Sequence, residues 1–114
     1  MAFNTRVNFD PVRELAFGGI SGTYAAVGTP LTNPSRMVAF NNATDVMVYI
    51  SFDGVNNHLK LASNSFKLFD FATNRIQEDG FFVSIGTQFY VKQVSGAAST
   101  NGVWIEVCYG ASTD

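Results

Sequence analysis

Val46-Met47-Val48-Tyr49-Ile50-Ser51-Phe52 alternates by twos, with Val46, Val48, Ile50 and Phe52 on one face and Met47, Tyr49 and Ser51 on the other. A strand sends successive side chains to opposite faces, so this spacing predicts a β-strand half-buried against a core. Further along, Val103-Trp104-Ile105-Glu106-Val107-Cys108-Tyr109 repeats the arrangement, with Val103, Ile105, Val107 and Tyr109 inward. Phe89, Val91 and Gln93 alternate with Tyr90, Lys92 and Val94, and Phe66, Leu68 and Asp70 alternate with Lys67, Phe69 and Phe71. Shorter runs lie at 36–41, 58–62 and 81–85. β-Branched and aromatic residues fill these stretches, as a pleated, half-buried surface favours. Between them, 41–45, Asp53-Gly54, Gly80, Gly86 and 95–102 supply turn chemistry. Seven or eight closely spaced strands predict an all-β fold, an antiparallel β-sandwich of jelly-roll or Ig-like type. The one helical possibility is a turn or two over 73–79.

The chain has 114 residues, 46% hydrophobic but only 14% charged, which fits one domain with its own core and excludes a disordered tail. The expected organisation is an N-terminal arm over 1–14, dotted with Phe3, Val7 and Phe9, followed by a single sandwich over 15–114. Within the latter, 18–34 holds Gly18, Gly19, Gly22, Gly28, Pro30 and Pro34, and reads as loop with one or two short edge strands. The residues leave open whether the arm packs on its own sandwich or on a partner.

Seven basic and nine acidic residues, net charge −2, are spread thinly, so no basic stripe exists for nucleic acid. The start of the chain lacks the apolar run of a signal peptide, and apolar stretches end after four or five residues. Synthesis inside the cell and no membrane partner are therefore expected. The single cysteine, Cys108, excludes an internal disulfide and a thiolate zinc site, and is expected to pack as a small hydrophobe. His58, the lone histidine, has no Ser or Cys beside it, and Asp53 reads as a turn cap rather than its orienting acid. Asp70 with Glu78 and Asp79 is the one carboxylate set, and the adjacent pair before Gly80 reads as a solvated turn. Phosphate-cradling and dinucleotide motifs do not occur. A non-enzymatic protein without cofactor or metal is the expectation.

The informative residues lie opposite the core set. Met47, Tyr49 and Ser51, then Tyr90, Lys92 and Val94, then Trp104, Glu106 and Cys108 are expected to point outward. A sandwich normally clothes that face in Lys, Glu and Thr. Tyr and Trp are instead the residues that interfaces enrich. Met47, Tyr49, Tyr90, Trp104 and Cys108 are thus candidate contacts with copies of the chain or with a partner. Two alternatives stand beside this reading: loops or the arm cover these aromatics within one chain, or Trp104 and Tyr49 form a platform for sugar rings.

At these residues the chain resembles small virion structural proteins of tailed bacteriophages. The likeness lies in Val48-Tyr49-Ile50-Ser51-Phe52-Asp53-Gly54, Phe66-Lys67-Leu68-Phe69-Asp70-Phe71-Ala72-Thr73-Asn74, Gly86-Thr87-Gln88-Phe89-Tyr90-Val91-Lys92, and the run from Gly102 to Gly110. The resemblance implies a β-sandwich built into the particle, nearest to capsid decoration (cement) proteins. Such proteins sit on the outer surface of the head as dimers or trimers and clamp the major capsid protein. Neck and tail components use similar sandwiches. No site residue transfers with the likeness, since no catalytic motif belongs to it. The arm with Phe3, Val7 and Phe9 is expected to lie in a groove of the capsid protein.

Overall fold

The computed structural model describes residues 5–33, 35, 37–70 and 85–112. Their strands are β1 (Thr5–Phe9), β2 (Arg13–Ala16), β3 (Ala25–Ala26), β4 (Met37–Asn42), β5 (Val48–Ser51), β6 (Leu59–Leu61), β7 (Ser65–Asp70), β8 (Tyr90–Gln93) and β9 (Gly102–Ser112). A 3-10 turn at Phe17–Gly19 is the one helical element among the described residues. The possible helical turn at 73–79, residues 81–84 of the strand expected at 81–85, the carboxylates Glu78 and Asp79, and Phe3 all lie outside the described residues, and Ile85 is an exposed turn residue.

Every strand pair is antiparallel, and the pairs count inward from both ends of the chain. β1 and β2 pair with β9, β3 with β8, β4 with β7, and β5 with β6. The chain is one long hairpin. Rolling that hairpin adds two further pairs, β4 with β9 and β5 with β8. The result is two sheets, β1-β9-β4-β7, with β2 also on β9, and β3-β8-β5-β6. This connectivity is that of a jelly roll, which decides between the two sandwich types left open by strand spacing.

Parity fills the space between the sheets. Val38 and Phe40 on β4 and Val103, Ile105 and Val107 on β9 face Val48 and Ile50 on β5, Leu61 on β6 and Val91 on β8, all of them buried. Phe40 sits at the centre, its ring 5.5 Å from Phe89 and 5.9 Å from both Phe52 and Phe69. Edge-to-face and tilted contacts of this kind suit the ring quadrupole. Burial of each such side chain contributes about 1.5–3 kcal/mol. Asn42 closes one end of the core: its amide donates to the carbonyls of Val46 and Ala62 at 2.9 and 3.0 Å. Its Oδ1 accepts from the Thr44 backbone and hydroxyl at 3.0 and 2.6 Å.

The structure corrects the arm boundary. Residues 5–9 form β1 in register with 108–112, and residues 13–16 form β2 in register with 102–105. Both borrow their order from β9, which supplies hydrogen-bonding partners that the N-terminal residues cannot find locally. Val7 pairs with Gly110 in this ladder. Arg13 explains the tight seat of β2: it is buried, with Nε donating to the Thr29 carbonyl at 2.7 Å and Nη2 reaching the Pro30 carbonyl at 3.2 Å and Asp10 at 3.3 Å. Gly28 passes directly over it at φ +68, where an added Cβ would stand 2.7 Å from the Arg13 side chain. After the 3-10 turn, residues 20–33 are loop with one short edge strand, β3, as the glycines and prolines predict.

Candidate functional site

The candidate residues divide between the two outer faces of the sandwich. Met47, Tyr49 and Tyr90 belong to the outer side of the β3-β8-β5-β6 sheet, and Trp104 and Cys108 to the outer side of the other sheet. Alternation along each strand predicts these directions correctly, but only the topology reveals that the residues do not meet. The sugar platform of Trp104 with Tyr49 is therefore not formed, because the core lies between them.

On the four-stranded sheet, the aromatics are already partnered. Tyr49 stands in register between Lys60 of β6 and Lys92 of β8. Both ammonium groups lie 5.8 Å from the Tyr49 ring centre, and Lys92 also lies 4.8 Å from that of Tyr24. These are cation–π distances, and the lysine stems cover ring surface that would otherwise meet water. The Tyr24 hydroxyl hydrogen-bonds Asn57 Oδ1. Burial first, then the neighbouring Tyr49 and Asp53, push the Tyr24 phenol above its ordinary value.

The turn after β5 covers the rest of this face. Asp53 Oδ1 accepts from the backbone of Val55 at 2.8 Å and Asn56 at 2.9 Å, and from the Ser51 hydroxyl at 2.9 Å. The Asn56 and Val55 amides hold the Asp53 carboxyl well below the usual aspartate range. Gly54, at φ +78, lies against the Tyr90 ring, which an added Cβ would approach to 3.3 Å. The folded turn buries Ser51, which strand parity alone sends into solvent. His58 belongs to the same turn, its Nδ1 accepting from the Phe52 amide at 3.0 Å, so it is placed structurally, and Asp53 caps as its position predicts.

The outer face of β9-β4-β7 is different. Across the strands, register sets three rows: Phe9, Cys108 and Met37; Glu106, Ala39 and Leu68; Glu14, Trp104, Asn41 and Phe66. Phe9 is 75% exposed, Phe66 68% and Leu68 54%. Two shallow depressions mark the surface, one of about 130 Å³ bordered by Phe9, Met37 and Leu68, the other of about 220 Å³ bordered by Asn41, Phe66 and Trp104. Glu14 and Glu106 on this face are both exposed, and the register adds a third acidic position, Asp70, beside Met37.

Cys108 needs a correction. Its parity is outward, yet it is only 6% exposed, because Phe9 and Met37 flank it in the same row. It packs as a small hydrophobe and offers a partner little surface. Phe66 and Leu68 are the residues that sequence reasoning missed. Their alternation is legible, but nothing in the sequence says that Phe69, which packs on Phe40, defines the inner side of β7.

A larger depression of about 470 Å³ lies beside Asp10, Arg13, Gly28 and Thr29. Its Arg13 is engaged with Asp10 and two loop carbonyls, so it fastens β2 to the loop over 28–30. Among the described residues, no three His, Cys, Asp or Glu side chains converge, and no helix is long and apolar enough to cross a membrane.

No protein-family model matches the chain, and no curated protein matches it. Among solved structures, a chain from work describing Bacillus endospore appendages as a novel family of disulfide-linked pili aligns over 96% of this chain and 92% of its own. The alignment has a TM-score of 0.45 and 13% identity.

Proposed function

We propose that this chain is a non-enzymatic structural protein of a bacteriophage virion, seated on the head as a capsid decoration protein that clamps the major capsid protein. The observation that carries the reading is the bare apolar outer face of β9-β4-β7, where Phe9, Phe66 and Leu68 stand in solvent. Contiguous exposed apolar surface of this kind marks an interaction site rather than an ordinary monomer surface. The resemblance of the strand sequences to small virion proteins supplies the particle. Jelly rolls recur among viral capsid proteins, which agrees with the reading at the level of fold.

A decoration protein acts through contacts alone, and repeated seating on a lattice converts weak contacts into stable attachment. The deciding measurement is the copy number in purified particles, by mass spectrometry against the major capsid protein. A ratio near one per capsid subunit is expected. A small fixed number per particle moves the protein to the neck or tail, and complete absence from particles sinks the virion reading.

A further inference from the structure

Both outer faces are partly apolar, but the outward charges on their strands are opposite. The charged positions that the register places outward on the β9-β4-β7 face are Glu14, Glu106 and Asp70, all acidic. On the strands of the other sheet the outward charges are Lys60 and Lys92, set around Tyr49. Met47 extends the apolar part of that second face into solvent. We infer that the acidic apolar face of one copy seats on the lysine–tyrosine face of the next, in a head-to-tail contact between copies of this chain.

Charge argues against the symmetric alternative. A two-fold contact of the acidic face with itself would bring Glu106 and Glu14 together with their own kind, since Arg6, Arg13 and Lys67 have the opposite parity on their strands. Like-charge juxtaposition at an interface is strongly unfavourable, whereas opposite faces steer and register one another. The inference also gives the divided candidates a common role. Tyr49 and Met47 belong to one half of the contact, and Trp104 with Phe66 to the other.

Geometry sets the form of the assembly. The two faces are the outsides of one sandwich and point in opposite directions, so a head-to-tail contact repeats as a stack and does not close into a pair. Six paired residues span about 20 Å and four strands side by side about 19 Å, a projected face of roughly 400 Å². Joining two such faces removes on the order of 800 Å² from water, below the ~1,200 Å² of a stable standard interface. Single contacts are thus weak, and the stack grows with concentration or on a surface that already holds the copies.

This inference rests on the reading that the chain works by contact, and its test is separate from copy number in particles. Sedimentation of the purified chain is compared with Glu14→Lys/Glu106→Lys and Lys60→Glu/Lys92→Glu, each verified as folded by circular dichroism. The unaltered chain should form a ladder of species up to about 1 mM, the regime of weak contacts, and lose it in high salt. Each reversed variant alone should remain monomeric. Their equimolar mixture should regain the ladder, because each now offers the face that the other lacks. If the lysine reversal does not fold, Lys60→Gln/Lys92→Gln keeps the stems on Tyr49 and should weaken association at least tenfold. A chain monomeric throughout overturns the inference, as does a mixture that stays monomeric. Association lost with the glutamates but untouched by the lysines overturns it too, and assigns a symmetric contact instead. Any of these results leaves the virion reading to stand or fall on its own measurement.

Discussion

The outer faces of the two sheets begin from similar sequence and end differently. Tyr49 and Tyr90 lie under lysine stems and a folded turn, whereas Phe66 and Leu68 on β7 lie under nothing that the described residues supply. The difference teaches that an outward aromatic is not by itself an interface. What matters is whether its own chain provides a cover. On the four-stranded sheet, Lys60 and Lys92 come from the neighbouring strands and the 51–58 turn folds back across the end. On the five-stranded sheet, Glu106 shares its row with Ala39, a side chain too short to cover anything.

Phe40 belongs to both halves, so Phe40→Ala is the heaviest blow to the comparison. It removes the ring against which Phe52, Phe69 and Phe89 pack, and should cost about 3–5 kcal/mol in urea unfolding. Both outer faces should be lost in one transition. Asn42→Ala comes next. It leaves the buried Thr44 amide without its acceptor and removes the amide that ties the carbonyls of Val46 and Ala62 together, at a cost of about 2 kcal/mol in the same assay.

The two faces part company in a matched pair of substitutions. Lys92→Met keeps an apolar stem over Tyr24 and Tyr49 but removes the cation, and should cost about 0.5–1 kcal/mol. Phe66→Ser should change stability by no more than about 0.5 kcal/mol, since a side chain in solvent contributes little to the fold. Equal losses at the two positions would mean that Phe66 has a cover after all.

The turn over Tyr90 gives the covered face a pH signature. The Asp53 carboxyl titrates below its ordinary value because the Asn56 and Val55 amides bind its charged form. Its contribution is complete above the unfolded aspartate value of about 3.9 and is lost as pH falls toward the lowered folded value. Asp53→Asn should therefore flatten the acid limb of the stability profile, measured by urea unfolding between about pH 2 and 5. An unchanged acid limb would mean that the turn does not depend on the carboxylate.

Much of this was legible in the chain itself. Alternation at Val48, Ile50, Val91, Ile105 and Val107 identified the buried face of β5, β8 and β9, because a period of two has only one way to bury those residues. Asp53 announced the turn that it caps. Three features were not legible, each for a physical reason. β1 and β2 carry too weak a pattern to read, since their order comes from β9 far away in sequence. Ser51 and Cys108 have outward parity and yet are buried, because parity gives direction and says nothing of what lies above. The separation of Tyr49 from Trp104 follows from strand order, which local alternation does not encode.

The pairing of the chain from both ends inward has a consequence for how it is made. β5 and β6 are the first partners to exist together, and the Asp53 turn joins them. β7 then finds β4, and β8 finds β3 and β5. β1, β2 and one edge of β4 wait for β9. Among the described strands, β1 and β2 are thus the ones whose partner lies farthest along the chain. Pairing β1 with β9 closes the longest loop among the described strands, the kind of non-local contact that makes β-topologies slow.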